Sequence, residues 1–145
     1  MKAKDFFTQE QINTIVKSIE KAEIQTSGEI RFHLESRCKG DALKRAVQVF
    51  KNLYMHKTEL RNGTLLYLAT VDKKFAIVGD KGINEKVPDN FWEDVKENIS
   101  KEFKEKEFVT GVCTAIEMIG EKLKEFFPYQ SDDVNELSDD VSIGD

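Results

Sequence analysis

The spacing of hydrophobic residues changes several times along the chain, and each change predicts a new element. The first stripe recurs at helical spacing after a Thr8–Gln11 capping-box pattern and predicts a helix; it comprises Ile12, Ile15, Val16 and Ile19. Residues 29–35 then alternate between polar and apolar, which predicts a strand with one buried face. Asp41 is placed to cap a second helix, whose stripe is Leu43, Ala46, Val47, Phe50, Leu53 and Tyr54.

The middle of the chain predicts a β-hairpin. Residues 64–70 are almost continuously apolar, which is typical of a strand buried on both faces, and a tight turn at 71–74 leads into apolar residues 75–78. The helix between the first two strands favours a parallel pair with a right-handed crossover. A weak pattern at 83–87 allows a fourth short strand.

Two amphipathic helices follow, and they complete the prediction of the fold. The first starts near Asp89 and presents Trp92, Val95, Ile99 and Phe103, and the last stops at Pro128. The order is therefore α-β-α-β-β-α-α. It predicts an α/β fold, a three-layer αβα sandwich in which a small mixed sheet of three or four strands carries helices on both faces.

Composition and charge divide the chain into a body and a tail. The 145 residues suit a single domain, which we expect over 1–128, followed by an acidic C-terminal tail over 129–145. The body holds 22 Lys and Arg against 21 Asp and Glu, a mixed charge that argues against a nucleic-acid partner. No apolar run reaches the roughly 20 residues of a membrane span or suits a signal peptide, so a cytoplasmic location is expected.

The usual catalytic patterns are not found in the sequence. There is no nucleophile elbow, no phosphate-binding glycine loop and no zinc-type spacing of Cys and His. Glu29, Arg31, His33 and Glu35 fall on one side of the first predicted strand and resemble a row of acids and bases. Alternation on any half-exposed strand produces the same row, so the sequence leaves open whether these residues have a function or only form a solvated face.

The predicted topology collects acidic loops at one end of the sheet. Carboxylates on loops that also offer backbone carbonyls are the ligands that a hard divalent cation requires, although such loops also expose acids in proteins that bind nothing. Oxygen ligands favour Ca²⁺ or Mg²⁺ over zinc or copper. The candidate metal ligands are Glu29, Asp80, Glu85, Asp89 and Glu107.

Several segments in order along the chain resemble the TPM domain family, in the stand-alone form found in bacteria. They are Thr26–Arg31, Lys57–Gly63, Gly79–Ile83, Phe91–Trp92 and the last helix up to Phe127–Pro128. The resemblance implies an αβα sandwich whose crossing loops bind divalent cations, often calcium, and in some members an acid phosphatase activity. Glu29, Asp80 and Asp89 match acidic positions of the family, whereas Glu107 replaces its more usual Asp.

Three functions follow from these expectations. The preferred hypothesis is a divalent-cation module that regulates or binds an unidentified protein partner. The alternative is a metal-assisted acid phosphatase, implied by the resemblance alone. The third is an interaction domain that uses the acidic tail. No catalytic residue and no organic cofactor are predicted.

Overall fold

A computed structural model describes residues 1–129 and 139–144 of the chain. Its helices are α1 (Ala3–Phe6), α2 (Gln9–Glu23), α3 (Ala42–Asn52), α4 (Lys81–Asn84), α5 (Phe91–Lys104) and α6 (Phe108–Phe126), with a short 3-10 helix at Met55–Lys57. Its strands are β1 (Glu29–Glu35), β2 (Gly63–Ala69), β3 (Lys74–Gly79) and β4 (Ser142–Gly144). The predicted α/β fold is confirmed.

The sheet is mixed and has the order β3-β2-β1-β4. β1 and β2 run parallel, joined by a crossover through α3, and β2 and β3 form the predicted antiparallel hairpin. The capping box predicted at Thr8 and Gln11 is present at the start of α2, because each residue bonds the backbone N–H of the other. β2 is buried on both faces, as its continuous apolar sequence indicates.

Two hydrophobic cores lie on opposite faces of the sheet. The larger core joins the apolar side chains of β1 to α2, α5 and α6, with Phe32 and Leu34 at its centre. The smaller core lies under α3 and joins Ala46, Val49 and Phe50 to the other face of β2 and β3. The result is the expected three-layer arrangement with helices on both faces.

The predicted stripe of the second helix was wrong at several positions. Leu43, Val47 and Tyr54 are exposed, whereas Val49 is buried instead. The side chain of Arg45 reaches Glu35, and the neighbouring Ala46 faces the sheet together with Val49 and Phe50.

Two short elements differ from expectation. The short strand that the pattern at 83–87 allowed is not formed, because Lys81–Asn84 form the helix α4. This helix starts where the Asp80 side chain accepts the N–H of Lys81. The fourth strand is β4, which lies within the expected tail and pairs parallel with β1. Most of that tail, residues 130–138 and 145, lies outside the described residues.

The first strand also differs, because it is buried on both faces. Glu29, His33 and Glu35 are each less than 10% exposed, so the predicted solvent-facing side of β1 was wrong. β4 covers part of the outer edge of β1, and the polar side chains find partners inside the fold.

Candidate functional site

One end of the sheet, which we call the loop end, brings together the start of β1, the start of β2 and the end of β3. Glu29 lies opposite Gly63, and Thr64 lies opposite Gly79. Helix α5 starts at the same end, where the Trp92 ring packs directly over Gly79. The crossing loops expected from the topology therefore meet here.

Asp80 is a buried and hydrogen-bonded acid at the loop end. It is 6% exposed, and it accepts hydrogen bonds from Arg61 Nε at 2.7 Å and Arg61 Nη2 at 2.9 Å. It also accepts the N–H of Lys81 at 2.8 Å, and the bonds to Asp80 raise the pKa of Arg61. A guanidinium thus occupies the position beside Asp80 where a cation would bind.

The other four predicted ligands do not form one group. Glu29 is buried at the loop end, whereas Glu85 and Asp89 are exposed on the segment between α4 and α5. Glu107 follows α5, whose 14 residues carry the chain about 21 Å away from the loop end. Phe103, one turn before Glu107, contacts Phe75 near the start of β3 at 5.7 Å between ring centroids. Glu107 therefore lies at the opposite end of the sheet.

Glu23 is an acid of the loop end that sequence reasoning missed. It ends α2, and its Oε2 accepts the N–H of Ile30 at 2.8 Å. The carboxyl of Asp139 lies within hydrogen-bonding reach of it, and the charge of Glu29 is also felt there. A signal was available, because Glu23 stands four residues after Ile19 and so continues the buried stripe of the helix.

Burial is the main reason that the pKa of Glu23 rises to about 10, and the neighbouring carboxyls of Asp139 and Glu29 raise it further. At neutral pH this group therefore carries a proton. Its Oε1 is buried and receives no N–H or O–H from the described residues. The carboxyl groups of Glu29 and Asp139 thus both lie close enough to Glu23 to affect it, at the outer edge of the loop end.

A second polar group lies on the α3 side of β1 and links four side chains. The hydroxyl of Tyr67 donates to Glu35 Oε2 at 2.6 Å, and Arg45 Nε donates to the same oxygen at 3.0 Å. Another Arg45 nitrogen reaches Oε1. Burial alone would raise the pKa of Glu35, but the hydrogen bonds from Arg45 and Tyr67 outweigh it and lower that pKa.

His33 is the fourth member of this group. Its Nε2 lies 3.4 Å from Glu35 Oε1, and its Nδ1 lies 2.7 Å from Ser142 Oγ in β4. Its ring stacks on Tyr67 at 6.1 Å between centroids. Burial lowers the pKa of His33, and the carboxylate of Glu35 offsets part of that effect. The polar row of β1 is therefore a buried network and not a solvated surface.

Comparison with protein families assigns the chain to one of them. The family model of the TPM domain matches residues 1–122, and the chain belongs to this family. The resemblance seen in the sequence is thereby confirmed. A comparison with curated protein sequences finds no match.

Solved structures agree with the fold. The solution structure of the BA42 protein from the psychrophilic bacterium Bizionia argentinensis is 45% identical, covers 99% of both chains and has a TM-score of 0.91. The N-terminal domain of the cg2496 protein from Corynebacterium glutamicum is 13% identical, with a TM-score of 0.65 over 81% of this chain and 74% of that one. The N-terminal domain of a P. gingivalis protein is 14% identical, with a TM-score of 0.68 over 87% and 83%. The last two likenesses concern the fold alone.

Within residues 1–129 and 139–144, no helix combines the length and apolar character needed to cross a membrane. Within the same residues, no three Asp, Glu, His or Cys side chains are already arranged as a set of metal ligands.

Proposed function

We propose that the chain is a divalent-cation module that binds Ca²⁺ or Mg²⁺ at the outer edge of the loop end, through Glu23, Glu29 and Asp139. The nearness of Glu29 and Asp139 to the buried carboxyl of Glu23 is the observation that supports the proposal. If all three carboxyls were ionised they would repel one another, and a divalent cation bound among them would offset that repulsion and allow Glu23 to lose its proton. A metal-assisted phosphatase activity is implied by family resemblance alone. We therefore propose cation binding and no reaction.

The residues fit a hard cation in their chemistry. All the candidate ligands are carboxyl oxygens, which suit Ca²⁺ and Mg²⁺, and Glu23 Oε1 is a buried oxygen that no N–H or O–H of the described chain satisfies. Rotamer changes would close the three groups around the ion. Glu29 is the one residue of this site that was also predicted as a ligand from the sequence. Asp80 instead holds the neighbouring loop through Arg61.

The expected output is a change in the order of the loop end that a partner protein recognises. Glu29 starts β1 and Glu23 ends α2, so an ion between them would tie the helix to the sheet. Asp139 would bring the C-terminal segment into the same site. The competing reading, an interaction domain without a metal, predicts no such dependence on cations.

Isothermal titration of the full chain with CaCl₂ and with MgCl₂ tests the proposal. Glu23 is protonated at neutral pH, so binding should release about one proton per ion. The heat should therefore change between two buffers of different ionisation enthalpy at pH 7. Glu23→Gln and Glu29→Gln should each weaken binding at least about tenfold, because each removes one charged ligand.

Glu107→Gln is the matched control, since it makes the same chemical change at the opposite end of the sheet. Its affinity should equal that of the wild type. Equal loss in all three variants would show that net charge alone governs binding. No binding of either cation by the wild type would remove the proposed function.

A further inference from the structure

The C-terminal segment 139–144, which we call the strap, is held on the sheet by a short strand. β4 has three residues and pairs with the second half of β1, with His33 opposite Ser142 and Glu35 opposite Gly144. Three residues give few backbone hydrogen bonds, and a typical strand is about twice as long. Side-chain contacts to β1 therefore matter for whether the strap stays in place.

His33 makes the side-chain contact of β1 with the strap, while Val141 packs on the larger core and Asp139 contacts Glu23. Its Nδ1 lies 2.7 Å from Ser142 Oγ, and the ring is packed under Gly144. A Cβ added at Gly144 would lie 3.2 Å from both Cε1 and Nε2 of the ring, so there is no room between them for water. The imidazole is 7% exposed as a result. Water can solvate it only when the strap moves away.

Burial is the main factor that disfavours an imidazolium at His33, and the charges around the ring act in both directions. Arg31 on the same strand and Arg45 on α3 both act against its protonation. Glu35 is the acid that faces it, but that carboxylate already accepts two bonds from Arg45 and one from Tyr67. A second proton on the ring would add a positive charge beside Glu35, whose negative charge Arg45 already neutralises. The charged ring would therefore be more stable in contact with water than buried under the strap.

We propose that the strap is a proton-operated latch, in which neutral His33 holds residues 139–144 on β1 and protonated His33 releases them. While the strap is closed, burial lowers the pKa of His33 by more than the contact with Glu35 raises it, and the two arginines add to the lowering. In the open form the ring meets water and regains its ordinary value of about 6.5. The open form therefore takes up the proton first as the pH falls, and acid shifts the equilibrium toward release.

One backbone amide reports directly on the strap. The N–H of Glu29 faces β2, where it donates to Asn62, whereas the N–H of Ile30 points to the outer edge. By the alternation of a strand, the N–H of Leu34 also points outward, toward β4, and that of His33 points toward β2. Exchange at Leu34 therefore follows opening of the strap, and exchange at His33 follows opening of the sheet itself.

Hydrogen exchange on the ¹⁵N-labelled full chain between pH 7.5 and 5.0 tests the latch. After correction for intrinsic exchange rates, the opening constant at Leu34 should rise by up to tenfold per pH unit below about 6.5. It should level off at the pH where the His33 ring itself titrates in the folded protein. The His33 amide should keep its protection throughout. A pH-independent Leu34, or equal losses at both amides, would overturn the proposal.

Two matched substitutions separate His33 from other causes. His33→Gln keeps a polar side chain that bonds Ser142 but does not titrate, and its Leu34 opening should no longer depend on pH. His56→Gln removes the other histidine, in the 3-10 helix, and should leave the wild-type dependence intact. If the opening constant at Leu34 still depends on pH in His33→Gln, the latch is overturned. If that variant folds poorly, the exchange of Leu34 and His33 in the wild type decides the question.

Discussion

Glu23 shows how burial at a helix end keeps a carboxyl group neutral, at a cost in stability at neutral pH. Its carboxyl is protonated in the fold, with a pKa of about 10 against 4.5 for the free side chain. Folding therefore takes up a proton at any pH between these values. The stability that this group contributes is fully present below about pH 4.5 and is lost progressively up to about pH 10.

We therefore predict that Glu23→Gln stabilises the metal-free protein at neutral pH. The amide oxygen can still accept the N–H of Ile30, while the cost of protonation disappears. Each pKa unit corresponds to 1.36 kcal/mol, so the gain at pH 7 should approach about 3 kcal/mol and vanish near pH 4.5. Urea unfolding in EDTA at pH 5, 7 and 9 measures it.

The control for this prediction is Glu20→Gln, one turn earlier on the exposed face of α2. It should change the free energy of unfolding by no more than about 0.5 kcal/mol at any of these pH values. If Glu23→Gln and the wild type show the same slope of stability against pH, the carboxyl is ionised in the fold.

At the scale of elements, α4 is positioned by close contact with the loop before β2. The N–H of Gly82 donates to Arg61 O at 2.9 Å, and a Cβ at Gly82 would lie 2.2 Å from Leu60 O and 2.6 Å from Arg61 O. Both obstacles are backbone atoms, which cannot rotate away. α4 can therefore dock here only because residue 82 has no side chain.

Gly82→Ala should accordingly separate α4 from that loop and disturb the Arg61–Asp80 pair. We expect a loss of about 1–3 kcal/mol in the free energy of unfolding, the range for overpacking of a tight contact. Gly40→Ala is the control, because nothing lies within 4 Å of its added Cβ. Thermal unfolding of both variants measures the difference. Equal melting temperatures for Gly82→Ala and Gly40→Ala would contradict the prediction.

The elements predicted well from the sequence are those whose signals are local and complete. The capping box of α2, the continuous apolar run of β2 and the turn at 71–74 each need only their neighbours in the chain. α4 and β4 were missed because they have four and three residues, too few to display a period. Their positions depend on Asp80, Arg61 and β1, which lie elsewhere in the sequence.

At the scale of the whole molecule, the topology was predictable and the polar sites were only partly so. The loop end follows from strand directions, and Glu29 and Asp80 were placed there correctly. The length of α5 places Glu107 at the other end, a displacement that the predicted helical stripe from Trp92 to Phe103 already implied. The partners of His33 and Glu35 come from α3, β2 and β4, so a row that looked half-exposed became a buried network.

The pairing of β4 with β1 also has a consequence for the order of assembly. His33 and Ser142 are separated by 109 residues, so closing that loop costs more chain entropy than forming the β2–β3 hairpin. Contacts of this kind tend to form after the rate-limiting barrier. Ser142→Ala should then speed unfolding and leave the refolding rate unchanged, whereas Leu68→Ala in the hairpin should slow refolding. Stopped-flow chevron plots measure both, and slower refolding of Ser142→Ala would place β4 in the folding nucleus.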